Sequence, residues 1–326
     1  MAGSWRALRR RILTPDHSET KLSKRGFHEK SVQSRELLET VGATFLTGYG
    51  HVMESRTVAE AELRLEGVPD QFRGFAYEGA AMGAAMLDGL PFGNGRKVAE
   101  LLAGRGRQHS YMVYVGVGWA MARLPRFRWA AITPPDPLLR WLVLDGYGFH
   151  QAYFHTRKYV HEHYQEPNFP WPVDGSADYR NRAIDQGIGR ATWFVAGTAP
   201  DVVADLLDRF PAHRRPDLYS GAGLAATYAG GGDQAELAVF WERAAAYRPQ
   251  VAQASAFAAT ARVEAGLVTP HTELAARFFC DLTPREAAAL CDKARPEPGP
   301  DGAVPAYELW RQRIAAELAE HRDVTA

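Results

Sequence analysis

The sequence predicts a predominantly α-helical protein in which two related helical repeat units pack together. Three observations support this fold class. Apolar residues recur at helical spacing through most of the chain, several segments start with helix-capping residues, and part of the first half is repeated in the second half. Alternating patterns typical of strands are scarce, and residues 109–117 are the best candidate for one.

In the first half, helices are predicted over residues 31–64, 74–90 and 96–103. Residues 74–90 are rich in alanine, and Phe75 and Met82 share one apolar face. A proline-rich turn at 134–137 precedes a further predicted helix over about 138–163.

In the second half, after the irregular stretch 167–180, two threonines resemble helix N-caps. Thr198 and Thr283 each precede an acidic residue by three positions, which is the spacing of a capping box. Residues 296–304 are typical of a linker because they are rich in proline and glycine. The last predicted helix, over about 305–321, is amphipathic.

An internal repeat defines the predicted organisation. Residues 98–102 (VAELL) recur as 203–207 (VADLL), and at the same offset of 105 a Tyr-x-Gly-x-Gly-x-Ala pattern recurs. The predicted parts are a basic N-terminal segment, helical unit 1, helical unit 2, and a linker with the C-terminal amphipathic helix, at residues 1–30, 31–170, 171–295 and 296–326. The long proline-rich connection joins the two units.

Composition excludes several functional classes. There are 38 basic and 38 acidic residues, so no net field draws the chain to nucleic acid. No run of about 18 apolar residues predicts a membrane span, and no apolar segment after the basic start predicts a signal peptide. The two cysteines, which form no CxxC motif, fit a reducing compartment. We therefore expect a cytoplasmic protein.

The basic N-terminal segment has two interpretations. Residues 1–30 hold eight basic side chains and three acidic ones. They form either a patch for an anionic membrane surface or an acidic partner, or a solvated terminus. Peripheral membrane contact is the functional alternative.

The Gly116-Val-Gly118 segment resembles a dinucleotide-binding turn because it follows an apolar run. Two observations argue against that interpretation. The segment is not set between alternating strands and helices, and its copy at Gly221 follows no strand pattern. We expect these glycines to allow close approach of helices instead.

Four histidines lie within 14 residues, at His150, His155, His161 and His163. On a continuous helix they split between two faces, so they do not converge as metal ligands, and no HExxH motif is present. Acid–base or substrate contact and a structural role both remain open. No metal site is predicted, and the cofactor is unknown.

The acidic candidates for chemistry are Glu78, at the edge of an apolar helix face, and Asp145, just before Gly146. A carboxyl group near a dry groove has a raised pKa and can act as a general acid, whereas the alternative is an ion-paired group. Asp201, Asp205 and Asp208 resemble the magnesium-binding helix of terpene cyclases, but no second metal motif accompanies them. A solvated helix face explains them better.

These residues predict a site in a groove between the two units. Glu78 or His150 would transfer a proton, Asp145 would orient or stabilise charge, and His155 has a carboxylate one helical repeat away. Aromatic side chains would line the groove and bind substrate. The predicted aromatic residues are Phe75, Tyr77, Trp119, Phe149 and Trp193.

Several segments together resemble the UnbL-like family of enediyne antibiotic gene clusters, over about residues 22–295. The resemblance is carried by Gly74-Phe-Ala-Tyr-Glu-Gly79, Gly116-x-Gly-Trp-Ala120, Asp145-Gly-x-Gly-Phe-His150, Gly189-Arg-Ala-x-Trp193-Phe194 and Leu218-Tyr-Ser-Gly-x-Gly-Leu-Ala225. It implies an accessory bacterial protein that acts after an iterative polyketide synthase, when a linear C15 polyene becomes the enediyne core. The implied partners are this apolar polyene, a UnbU-type membrane protein and a UnbV-type protein.

Two function classes follow from this resemblance. The chain is either an enzyme, or an essential part of one, that acts on the polyene, or a non-catalytic protein that binds the polyene or assembles its partners. The resemblance supplies no catalytic residues. Conversion of the polyene by the chain alone would separate the first class from the second.

Overall fold

The computed structural model describes residues 14–91, 95–132, 136–171, 176–297 and 301–325. Over these residues it contains sixteen α-helices and no strand, so the predicted all-α class is confirmed. No helix within these ranges combines the length and the apolar character needed to cross a membrane.

The helices form because apolar residues at helical spacing find partners in a shared core. In chain order the α-helices are α1 (Leu22–Arg25), α2 (Val32–Glu54), α3 (Val58–Leu65), α4 (Asp70–Gly89), α5 (Lys97–Ala103), α6 (Ser110–Met121), α7 (Trp129–Ile132), α8 (Trp141–Phe154), α9 (Ala177–Val195), α10 (Pro200–Leu207), α11 (Arg215–Tyr228), α12 (Gln234–Arg243), α13 (Arg248–Glu264), α14 (Pro270–Cys280), α15 (Pro284–Ala294) and α16 (Ala306–Thr325). Short 3₁₀ turns span His17–Thr20, Arg105–His109, Arg126–Arg128 and Ala245–Tyr247, and a π-helical turn spans Arg157–His161.

The candidate strand at residues 109–117 is wrong, because this segment ends a 3₁₀ turn and forms most of α6. Every residue of α6 from Tyr111 to Met121 is buried. A helix covered on all sides needs no polar face, so its apolar run resembles a buried strand.

Two predicted helices are shorter than expected. The segment 31–64 divides into α2 and α3, because the Thr57 side chain accepts a hydrogen bond from the Glu60 amide and starts a new helix. The segment 138–163 forms α8 only as far as Phe154, and the π-helical turn follows.

The two capping predictions have opposite outcomes. At Thr283 the capping box is confirmed, since Thr283 and Glu286 each bind the other's backbone amide. At Thr198 it is wrong. Thr198 has a left-handed φ of 66°, and its hydroxyl donates to the Gly231 carbonyl, while α10 starts with Pro200.

Seven helices form one continuous row in which each packs against the next, in the order α2, α4, α6, α8, α9, α11 and α13. The glycines of the repeat lie where these helices touch. A Cβ atom added to Gly116 would lie 2.2 Å from the Glu78 carbonyl oxygen, and one at Gly118 would lie 2.0 Å from that of Val143. These contacts confirm that the glycines permit close helix approach.

The second copy of the repeat makes the corresponding contacts. Gly221 on α11 packs against the Gln186 carbonyl of α9, and Gly223 packs against Val251 of α13. The repeated glycine segments therefore occupy similar positions in the row, as α6 in one copy and α11 in the other, and α5 and α10 precede them in the chain. Because α8 contacts both α6 and α9, the row continues across the predicted boundary at residue 170, and that boundary stays a prediction.

Contacts between distant helices close the row around an internal space. Phe75 of α4 packs edge-on against Tyr228 of α11 with ring centroids 5.2 Å apart. The guanidinium of Arg262, on α13, donates to the carbonyls of Gln71 and Tyr228. These contacts hold the first helices of the row against the last ones.

The basic N-terminal segment lies partly outside the described residues, which begin at residue 14. Of its eight basic residues, the four within them all form ion pairs with carboxylates: Lys21, Lys24, Arg25 and Lys30. Each of these four cations therefore has a carboxylate partner, and Lys24 and Arg25 share theirs, Glu19.

Candidate functional site

The helices of the row line an apolar cavity with about 80 Å³ of free space, which we call the central cavity. The lining comes from α2, α4, α6, α8, α9 and α11, together with the segment before α1. Its main lining residues are Leu38, Val41, Phe45, Phe75, Glu78, Met82, Met112, Trp119, Arg123, Phe149, Tyr153, Phe154, Arg190, Phe194, Leu224 and Tyr228.

Glu78 and Arg190 are the two buried charged side chains in this lining. The Arg190 Nη2 atom lies 3.7 Å from Glu78 Oε1, and its Nε atom lies 3.2 Å from Asp145 Oδ1. Glu78, Arg190 and Asp145 are 4%, 7% and 1% exposed, so the three form a buried charge cluster. Neither Arg190 Nε nor Asp145 Oδ1 completes a hydrogen bond with another described residue.

Burial controls the protonation of this cluster. It raises the pKa of Glu78 to about 7, an effect that Arg190 opposes and Asp145 reinforces. Burial also raises the pKa of Asp145, again against the effect of Arg190. One arginine serves two carboxyl groups, so near neutral pH Glu78 exists partly as a neutral acid at the cavity wall.

Three of the five predicted aromatic residues line the central cavity, namely Phe75, Trp119 and Phe149. The other two lie elsewhere in the core. The Tyr77 hydroxyl donates to Glu66 Oε1 at 2.6 Å, and its ring stacks on His109. The Trp193 indole donates to the Gly230 carbonyl at 2.9 Å, while its neighbour Phe194 faces the cavity.

The four histidines are not brought together. His150 is buried beside the cavity with its ring edge-on to Trp119, and burial lowers its pKa to about 3, which keeps it neutral at physiological pH. His155 is exposed and lines a separate surface cleft. His161 ends the π-helical turn, and His163 follows it. Within the described ranges, no three His, Cys, Asp or Glu side chains cluster as metal ligands.

The three aspartates that resemble a terpene-cyclase motif bind an arginine. Arg243 lies 3.3, 2.7 and 3.4 Å from Asp201, Asp205 and Asp208. All three carboxylates are exposed, which agrees with a solvated helix face.

Arg190 is the main feature of the site that sequence reasoning missed. Its signal was available, because it is the one charged residue in the apolar run 186–196. A lone charge inside a buried helix needs a counter-ion, and that need points to the buried carboxyl groups on α4 and α8.

The geometry permits two chemical roles. The apolar lining can exclude water and contact an apolar molecule through its aromatic rings and methionine side chains. The neutral Glu78 acid at the wall can donate a proton or a hydrogen bond to that molecule, because its pKa is close to neutral pH.

Comparison with family models gives a match. A family model described as a protein of unknown function (DUF1702) matches residues 4–318. No curated protein and no solved structure matches the chain. Since the match spans nearly the whole sequence, the chain belongs to the DUF1702 family.

Proposed function

We propose that this protein binds a long apolar molecule in the central cavity. The observation that carries the proposal is the lining of the cavity, to which six helices contribute mainly aliphatic and aromatic side chains. A ligand of this kind gains about 25 cal/mol for each Å² of apolar surface that it removes from water. A polar ligand of the same size would lose its hydration without finding enough partners.

The pathway that we propose is enediyne biosynthesis, with a linear C15 polyene as the ligand. Support comes from the resemblance of the sequence to UnbL-like proteins and from the match between an extended apolar chain and an apolar cavity. In this proposal the protein works in the cytoplasm, in a complex with UnbU-type and UnbV-type proteins. Peripheral contact with the membrane through those partners is part of the same proposal.

Filling the cavity should weaken binding. Leu224 lines the central cavity and is half-buried, so a Leu224→Trp side chain can extend into the space. We expect the affinity for the C15 heptaene, measured by quenching of protein fluorescence, to fall at least about tenfold.

The control is Leu290→Trp, which alters a half-buried leucine on α15 away from the cavity and should leave affinity unchanged. Equal binding by both variants, with unchanged melting temperatures, would contradict the proposed site.

A second candidate function is proton transfer to or from the bound chain. The observation that favours it is Glu78, which combines a pKa near 7, burial and a place in the cavity wall. Glu78→Gln should then bind the heptaene with normal affinity but block product formation in cells that carry the whole pathway. Normal product formation by Glu78→Gln would contradict proton transfer by Glu78 and would leave binding as the proposed function.

The raised pKa of Glu78 also predicts a pH dependence of stability. In the folded protein the Glu78 carboxyl group, with a pKa of about 7, keeps its proton up to that pH, whereas an unfolded glutamate loses its proton near the ordinary pKa of 4.5. Stability should therefore fall as pH rises between these values, by about 1.4 kcal/mol per pH unit. Urea unfolding at pH 5, 6 and 7 checks this expectation. Relative to wild type, Glu78→Gln should lose less stability as pH rises, and parallel curves would disprove the assignment.

A further inference from the structure

A basic surface cleft adjoins the central cavity, and Tyr153 and Phe154 line both. We use the name basic cleft for the surface formed by Lys24, Arg25, His155, Arg157, Lys158 and Glu162. It lies where the end of α1 meets the end of α8 and the π-helical turn.

The basic cleft has more positive than negative charge. Glu19 pairs with both Lys24 and Arg25, and Glu162 pairs with Arg157 at 2.8 Å. Lys158 lies over the Tyr164 ring, 3.8 Å from its centroid, and no described carboxylate pairs with it. Four cations therefore face two carboxylates, which leaves an excess of two positive charges and favours an anion.

The charged and apolar surfaces meet at Phe154. The Arg25 guanidinium lies over the Phe154 ring at 5.1 Å, and Glu19, its ion-pair partner, lines the central cavity. One molecule can therefore place an apolar chain in the cavity and an anionic group in the basic cleft. Arginine and lysine side chains suit a phosphate, because arginine offers paired donors and phosphate carries up to two charges.

We propose that the basic cleft binds the phosphate of a ligand whose apolar chain occupies the central cavity. The inference rests on the proposed function, since the chain site is the same cavity. In this account the chain reaches the protein while still attached to a phosphate-bearing head, for example through a thioester. Coenzyme A thioesters and lysophosphatidic acids share this chemistry.

The test compares three ligands with the same C14 chain, each below its micelle concentration and in about 0.15 M salt. Myristoyl coenzyme A and myristoyl lysophosphatidic acid carry phosphate, and tetradecanol does not. We expect at least one phosphate-bearing ligand to bind about tenfold more tightly than tetradecanol. A higher affinity for the coenzyme A thioester than for tetradecanol identifies a soluble carrier as the source of the phosphate. A higher affinity for the lysolipid identifies a lipid headgroup as the source.

The double variant R157S/K158S should remove this gain and leave tetradecanol binding unchanged. Arg157 and Lys158 are exposed, so we expect the double variant to fold. The matched control is R285S/K293S, which removes two exposed cations from α15 and should keep the gain. The inference is overturned if neither phosphate-bearing ligand binds more tightly than tetradecanol, or if R157S/K158S keeps the gain. Failure of tetradecanol itself to bind would instead contradict the proposed function.

Discussion

Replacing Arg190 with methionine should destabilise the folded protein by about 3–5 kcal/mol, because it leaves two buried carboxyl groups without their counter-ion. Methionine preserves most of the side-chain volume, so the loss reports charge rather than packing. Urea unfolding at pH 7 measures the change. At lower pH the effect should shrink, since protonated carboxyl groups need no counter-ion.

The control for this prediction is Arg243→Met. Arg243 contacts three carboxylates, but it is one-third exposed and its partners are more exposed still. Such surface pairs contribute about 0–1 kcal/mol. If Arg190→Met lowers the free energy of unfolding no more than Arg243→Met does, the buried charge cluster does not exist as described.

Replacing Gly187 with alanine should destabilise the protein by at least about 3 kcal/mol, the upper part of the range for overpacked cores. The added Cβ atom would lie 1.8 Å from the Asp145 carbonyl oxygen and 2.6 Å from the Phe149 backbone nitrogen. Both atoms belong to the backbone of α8, so α8 and α9 would have to separate. The intrinsic preference of alanine for helices, about 1 kcal/mol, cannot offset this.

Gly67→Ala provides the comparison, because a Cβ atom added there would lie 3.4 Å from the Arg64 carbonyl oxygen, which is ordinary van der Waals contact. Its stability should stay within about 1 kcal/mol of wild type. A similar small effect at Gly187 would show that α8 and α9 do not touch through their backbones.

Apolar periodicity predicted helices that keep a polar face, such as α2, but it failed at α6, which is buried on every side. It did not predict where the helices break. The interruption between α2 and α3 depends on one threonine, Thr57, which caps α3. Thr198 does not cap a helix, because it adopts a left-handed conformation in which its hydroxyl donates to the Gly231 carbonyl. The pattern of apolar residues does not indicate which hydrogen bond such a threonine side chain will make.

The candidate site was only partly predictable. Glu78 and Phe75 stood out on an alanine-rich face, and both line the cavity. In contrast, Tyr77 and Trp193 are buried aromatic residues that point elsewhere. Helices in the middle of the row bury residues on two sides, so burial alone cannot tell which aromatic ring faces the cavity and which faces a neighbouring helix.

Photoaffinity labelling tests the central claim, that the cavity holds a long apolar chain. A C15 chain with a diazirine group would be bound, irradiated and mapped by mass spectrometry. The account predicts adducts on cavity residues such as Met82, Met112 and Leu224, and their loss in the Leu224→Trp variant. Adducts confined to exposed apolar residues such as Leu63 and Phe127 would contradict it.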